Sequence, residues 1–234
     1  MKLLGIDTAT EACSVALWSN GHVLGRFEVP GRSHTERLRA MVGAVLVEAG
    51  IEPSALDGFV CGVGPGGFAG VRIGVAFVQG LAFALDRPIV PVTSLELLAL
   101  RALDDGADVA LAALDARMGE VYFAAYSADV EGVPQTLLAP RVGSPESLPP
   151  LEFANGCGVG GGWGVYGEAL IRVLGRAPAR LWPDALPDIA TGMPLAARRL
   201  AAGQSVGAHE LRPVYLRDRV ALTLQEQRES RLPK

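Results

Sequence analysis

Two segments of the chain read alike. LLGIDTATEACSVALWS, from Leu3 to Ser19, aligns without a gap with LAALDARMGEVYFAAYS, from Leu111 to Ser127. The alignment sets Leu3 against Leu111, Asp7 against Asp115, Val15 against Phe123, Ala16 against Ala124, Trp18 against Tyr126 and Ser19 against Ser127. Each copy is an apolar run ending at an aspartate, a few turn-tolerant residues, and a second run of β-branched and aromatic residues. That order is the signature of a hairpin whose second strand returns beside the first. A hairpin of this kind repeated about a hundred residues on predicts a duplicated fold, two related halves sharing one plan.

The rest of each half fills in around the hairpin. The Asn20-Gly21 turn leads into a third strand near His22 to Val29, stopped by Pro30-Gly31. Ser33 and Glu36 form an S-x-x-E capping box opening a helix to Ala49. Leu38, Met41, Val42, Val45 and Leu46 make its apolar face, and Gly50 stops it. A strand at Gly58 to Val63, a helix at Ala69 to Leu85, a strand at Ile89 to Val92 and a helix at Ser94 to Leu103 complete an α/β half. The second half repeats the hairpin, becomes loop-rich from Gly132 to Pro150, runs the glycines of GCGVGGGWGVYGEAL into a helix, and has a last helix near Pro194 to Ala202. This gives an N-terminal lobe of residues 1–103, a C-terminal lobe of 104–209, and a tail, about 210–234, packing back on the first lobe.

Composition narrows the function. Half of the 234 residues are apolar and the net charge is -4, so the chain has the material for a core and no basic field for unaided nucleic-acid binding. The arginines at 198, 199, 217, 219, 228 and 231 are interleaved with Asp218, Glu226 and Glu229, which makes a solvated, salt-bridged surface the default and a direct tRNA-binding module the alternative. Cys13, Cys61 and Cys157 have no C-x-x-C spacing, which fits a reducing cytoplasm. MKLLGIDTATE reaches Asp7 before a hydrophobic segment of signal-peptide length has formed.

The stretch GVGPGGFAGVRIG, residues 62 to 74, lies between a strand and a helix. Gly62-x-Gly64-x-x-Gly67 matches the dinucleotide fingerprint, but the next strand, PIVPVTS, offers no acid, and no Gly-Lys-Ser/Thr follows for a Walker loop. Backbone amides with Arg72 nearby could still hold an anion. Packing is the other use of those glycines. The helix after them is apolar on every side, and Gly70 with Gly74, then Ala76, Gly80 and Ala84, make small-residue stripes that let another backbone come close. Its sixteen or so residues, interrupted by Arg72 and Gln79, fall short of the roughly twenty needed to cross a bilayer. Asp7 and Asp115 either form turns or face a ligand, since aspartate at a strand end does both.

These residues resemble a known family. GIDTATEACSVAL, ALDARMGEVYFA, GPGGFAGVRIGVAFVQGLA and PVYLRDRVAL together are similar to the TsaB (YeaZ) family across nearly the whole chain. The resemblance implies a duplicated, ribonuclease-H-like, actin-like two-lobed α/β fold. It also implies a non-catalytic partner of the TsaD subunit in bacterial tRNA threonylcarbamoyladenosine synthesis, with the ATPase TsaE as a third subunit and tRNA met only through the complex. Gly67 and Ala69 replace the serine and threonine of the family's G-P-G-S-F-T-G pattern. Catalytic relatives carry H-x-x-x-H on the helix after the third strand; here His34 is followed by Leu38 in the second position, so no metal site is expected, and ATP and metal are expected on partner subunits. The expected partner interface is Leu38, Met41, Val42, Val45 and Leu46 with Val71, Gly74, Val75, Val78 and Leu81, a surface on which two copies could also pair. Asp7, Thr8, Asp115 and Arg72 are the candidate nucleotide contacts, and a stand-alone actin-like small-molecule kinase is the rival that would use them.

Overall fold

A computed structural model describes residues 1–29, 31 and 34–217. Ser33, and with it the cap expected for the first helix, lies outside the described residues, as do Arg219, Arg228 and Arg231 of the tail. The first half runs β1 (Lys2–Asp7), β2 (Cys13–Ser19), β3 (His22–Glu28), α1 (His34–Ala49), β4 (Gly58–Gly62), α2 (Phe68–Leu85), β5 (Ile89–Val92) and α3 (Ser94–Asp104). The second runs β6 (Val109–Arg117), β7 (Glu120–Ala128), β8 (Pro134–Gly143), β9 (Gly156–Val159), α4 (Gly162–Leu174), β10 (Arg180–Trp182) and α5 (Ile189–Ala201).

The duplication is explicit in the topology. One sheet has the order β3-β2-β1-β4-β5 and the other β8-β7-β6-β9-β10, each with an antiparallel hairpin pair and two parallel strands beyond it. Each sheet is apolar on both faces because each is covered twice. On the first sheet Leu4, Ile6, Phe59 and Cys61 meet α1 and α2, while Leu3, Ala16, Val60 and Val90 meet α5. On the second, Leu111, Ala113 and Phe123 meet α4, while Ala110, Ala112 and Ala124 meet α3. The layers are therefore α1/α2, first sheet, α5 with α3, second sheet, α4.

The two central helices are exchanged. α3, from the first half, packs on the second sheet, and α5, from the second half, packs on the first. A division of the chain at 103 and 104 thus falls in the sequence but not in the packing, since each lobe's inner layer is supplied by the other half. The segment after α5 returns to the first lobe. Val206 pairs with Ile89, Leu211 is buried in the outer core, and the Val214 amide donates to the Val63 carbonyl at 2.8 Å.

Three details differ from the sequence reading. The region 132–150 contains β8, whose Pro134 and Pro140 are tolerated because it is an edge strand, and whose pairing with β7 is bulged. α5 begins five residues before Pro194, at Ile189; the Asp188 carboxylate accepts from the Ala190 amide at 3.0 Å as its cap, and the proline sits inside the helix. The third concerns register. Trp18 and Tyr126 are equivalent in β2 and β7, yet Trp18 pairs with Leu3 and Tyr126 with Ala110, so Asp7 is equivalent to Leu114 and not to Asp115. The irregularity between Asp115 and Arg117 absorbs the extra residue. A slip of one residue turns a side chain to the other face, so the two aspartates point in opposite senses.

Candidate functional site

The glycine loop is shaped by the turn it touches. β-Carbons built at Gly66 and Gly70 would lie 2.0 Å from the Ala9 carbonyl oxygen and 2.2 Å from that of Thr8, and one at Gly74 would lie 2.6 Å from Thr8 Oγ1. Thr8 Oγ1 donates to the Gly70 carbonyl at 2.7 Å, and the Gly67 amide donates to Ala9 O at the same distance. The glycines let the start of α2 lie directly on the β1–β2 turn, and the loop's polar groups are partly spent in that contact. Close packing, rather than a phosphate cradle, accounts for their spacing.

Asp7 is closed off from solvent. It is fully buried, and neither carboxylate oxygen has a hydrogen-bond partner among the described residues. Burial, with a smaller contribution from Asp188, pushes its pKa up to about 7; the neighbouring Ala9 amide offsets part of this without closing a hydrogen bond. Asp115 is in different surroundings. It lines an interlobe cleft of about 910 Å³, accepts from Tyr166 Oη at 3.1 Å, and pairs with Arg117 at 2.8 Å. A nucleotide contacted by both aspartates would need them on one cleft, and Asp7 does not line this one. Of the remaining candidates, Thr8 is buried and engaged with Gly70. Arg72 is exposed and does not itself line the cleft, but its guanidinium carbon lies 3.2 Å above the ring centroid of Phe68 and 5.5 Å from that of Tyr215, which do. His34 places Nε2 3.1 Å from the Thr10 carbonyl, and among the described residues no group of three or more His, Cys, Asp or Glu is placed to hold a metal.

The outer helices carry a correction. Leu38, Met41, Val42, Val45 and Leu46 of α1, and Val71, Gly74, Val75 and Val78 of α2, are buried against the chain's own sheet, and Leu81 is half-buried. They are core, because the apolar stripe of a surface helix faces the sheet that carries it. The outward faces are made of other residues. On α1 these are Ala40, Gly43, Ala44 and Val47, spaced i, i+3, i+4, i+7, with Val47 82% exposed. On α2 they are Ala69, Ala76, Gly80 and Phe83, with Ala84 at the margin and Phe83 68% exposed. The stripe of Ala76, Gly80 and Ala84 was legible as small residues in helical spacing; the α1 stripe has the same signature. α2 is 18 residues long with mean hydropathy 1.7, enough by length and composition to qualify as a membrane span, longer than its sequence suggested. Its inner face is seated on the sheet, so what remains is an apolar outward stripe.

Comparison with known proteins gives a consistent result. Residues 28–156 match the family model described as TsaD, tRNA N6-adenosine threonylcarbamoyltransferase. The chain is 38% identical over 230 residues to the tRNA threonylcarbamoyladenosine biosynthesis protein TsaB of Escherichia coli (strain K12), covering 94% of this chain and 96% of that one. It is 34% identical over 229 residues to the protein of the same name from Haemophilus influenzae, covering 94% and 95%. Among solved structures, YeaZ from Pseudomonas aeruginosa superposes with a TM-score of 0.85 at 42% identity, covering 92% of this chain and 99% of that one.

Proposed function

Because the chain belongs to the TsaB (YeaZ) family of tRNA threonylcarbamoyladenosine biosynthesis proteins, we propose that it is a cytoplasmic accessory subunit that pairs with a homologous threonylcarbamoyltransferase, TsaD, and holds it in its active state. The observation that carries this reading is the outward face of α1 and α2. A paired-helix surface of Ala40, Gly43, Ala44 and Val47 beside Ala69, Ala76, Gly80 and Phe83 has few long side chains to keep another helix away, and it leaves apolar groups in water. The matched family model spans both helices, so a TsaD partner brings its own version of them. Two related helix pairs brought together about an approximate two-fold axis form a four-helix contact.

In this reading the chemistry of threonylcarbamoyl transfer, with its nucleotide and metal, rests on the partner subunits, TsaE joins the pair, and tRNA is met through the assembly. The same face supports pairing of two copies when the partner is missing. The burial of Asp7 away from the cleft favours this over a stand-alone kinase.

Gel filtration and calorimetry of the full-length chain with purified TsaD provide the test. Wild type forms a heterodimer, and Ala76→Arg or Gly43→Arg, folded by circular dichroism, does not. Unimpaired pairing by both variants overturns the assignment of this face. Titration of the chain alone with magnesium-ATP gives no heat in the accessory reading, whereas sub-millimolar binding would restore the kinase.

A further inference from the structure

We propose that Arg72 is the charged anchor of the α2 docking stripe and receives a carboxylate side chain from the partner subunit. The inference rests on the docking face described above and names the chemistry of one contact within it.

Arg72 is the only charged residue in α2, whose sequence is FAGVRIGVAFVQGLAFAL. It projects from the same side as Ala69, Ala76, Gly80 and Phe83, positions that recur at helical spacing. Its position is not explained by the helix itself. The residue stands in the second turn, near the positive end of the macrodipole, where a cation gains nothing and an anion would. Among the described residues no carboxylate lies within ion-pair distance of it; Arg39, Arg101 and Arg172 share that condition, but they stand on helices that carry other charges, whereas Arg72 is the one charge in an apolar helix.

The guanidinium is nevertheless held in place. It stacks 3.2 Å over Phe68, itself 56% exposed, with Tyr215, 51% exposed, 5.5 Å from it. Stacking uses the faces of the plane and leaves its N–H edges for a planar bidentate acceptor, the geometry a carboxylate supplies. A side chain already ordered by two rings loses less entropy when it is bound, and an arginine between aromatic rings at the margin of an apolar stripe has the composition of an interface hot spot. A nucleic-acid backbone suits the same edge chemically but not the surroundings. Glu11, Asp115, Arg117 and Arg217 line the adjoining cleft, Asp115 paired with Arg117 and Arg217 with Glu120, so its arginines are already matched by acids and no basic track extends from Arg72 in a chain of net charge -4. A single carboxylate is accommodated there more readily than a run of phosphates.

The affinity of the full-length chain for purified TsaD is measured by calorimetry from about 0.05 to 0.5 M salt, a range over which the Debye length falls several-fold. Arg72→Gln, Arg72→Lys, Ala76→Arg and Gly43→Arg are compared with wild type, each checked by its thermal melt. Arg72→Gln is expected to weaken binding about tenfold or more at low salt and to flatten the salt dependence. Arg72→Lys is expected to keep the salt dependence while recovering only part of the affinity. A packing role alone would lower affinity equally at all salt concentrations. If Ala76→Arg abolishes pairing while Arg72→Gln binds like wild type with an unchanged salt dependence, the anchor is wrong and the docking face stands. If Ala76→Arg and Gly43→Arg both pair normally, the face itself is wrong and the anchor falls with it. If Arg72→Gln pairs with TsaD normally but the complex loses tRNA retention, the acceptor is a phosphate and the carboxylate proposal is overturned.

Discussion

The carboxylate of Asp7 lies over the α-carbon of Gly62, so close that a β-carbon built at position 62 would fall 1.8 Å from Oδ1. β1 and β4 are adjacent parallel strands, and the glycine opens the space in which the acid is enclosed. Gly62→Ala forces either the carboxylate or the strand to move, and is expected to cost about 1–3 kcal/mol, the usual range for overpacking. Asp7→Ala removes the obstruction, so the double variant should be more stable than the two single losses predict. Urea denaturation of the four proteins gives the coupling, and strict additivity would mean that the two residues do not share this space.

The same carboxyl makes stability depend on pH in a defined sense. Its pKa is raised from 3.8 to about 7 by burial, so between those values the folded chain holds a proton that the unfolded chain has released. The contribution is therefore fully present below about pH 4, is lost as pH rises toward 7, and changes no further above that. Asp7→Asn keeps the shape without the charge. It should be more stable than wild type at pH 8, by an amount on the order of a few kcal/mol, with the gap closing toward pH 4. Equal melting temperatures for the two proteins at pH 8 would show that the site pays no ionisation penalty.

Inner and outer positions of α2 should separate folding from assembly. Val78 is fully buried in the outer core, and Val78→Glu places an unpaired charge there, at a cost of several kcal/mol. That variant is expected to unfold or aggregate. Ala76→Glu, two residues away on the exposed face, should leave stability within about 1 kcal/mol of wild type and remove pairing with TsaD. A soluble, folded Val78→Glu protein would contradict the burial seen here.

The duplication was legible because strand alternation and the turn residues around both hairpins survive in the sequence. Its register was not. Matching Asp7 with Asp115 is the best ungapped alignment, and only the pairing of Trp18 with Leu3 and Tyr126 with Ala110 reveals the extra residue in the second hairpin. α1 and α2 were legible for the same reason that their buried face was read as a partner surface. Apolar spacing identifies the face a helix buries, and Leu38 or Val78 satisfies it whether the covering surface is the chain's own sheet or another protein. The glycines of residues 62–74 could not be separated from a phosphate loop by spacing, since what decides between the two is the distance to Thr8 and Ala9, residues far away in the sequence. β10, at three residues, and β8, with its two prolines, fall below what strand patterning detects.

A polar cluster joins α3 and α5, the helices exchanged between lobes, beside the apolar cluster that Leu97 shares with Met193 and the Thr191 hydroxyl's donation to the Leu97 carbonyl. Thr93 caps α3 through the Glu96 amide, at 3.1 Å, and the Glu96 carboxylate accepts in return from the Thr93 amide at 3.0 Å. The other oxygen of Glu96 accepts from Arg199 Nη2 of α5 at 2.5 Å. Both side chains are mostly buried, at 15% and 25% exposed, so the pair is less screened than a surface bridge and ties together two helices that pack on different sheets. Glu96→Gln keeps an acceptor for the cap but loses the charge, and is expected to cost about 1–3 kcal/mol, as is Arg199→Gln. Thr93→Ala removes the cap and the hydroxyl's 3.2 Å contact with Glu96 Oε2, but nothing that touches Arg199, and should cost about 1 kcal/mol. The first two changes share one interaction, so their double variant should be less destabilised than the sum, by about 1 kcal/mol or more, while Thr93→Ala combined with Arg199→Gln should come nearer to additive. Denaturant midpoints at neutral pH measure each of these terms, and additivity of Glu96→Gln with Arg199→Gln would mean that this ion pair adds nothing to the apolar contact and the Thr191 hydrogen bond between the crossed helices.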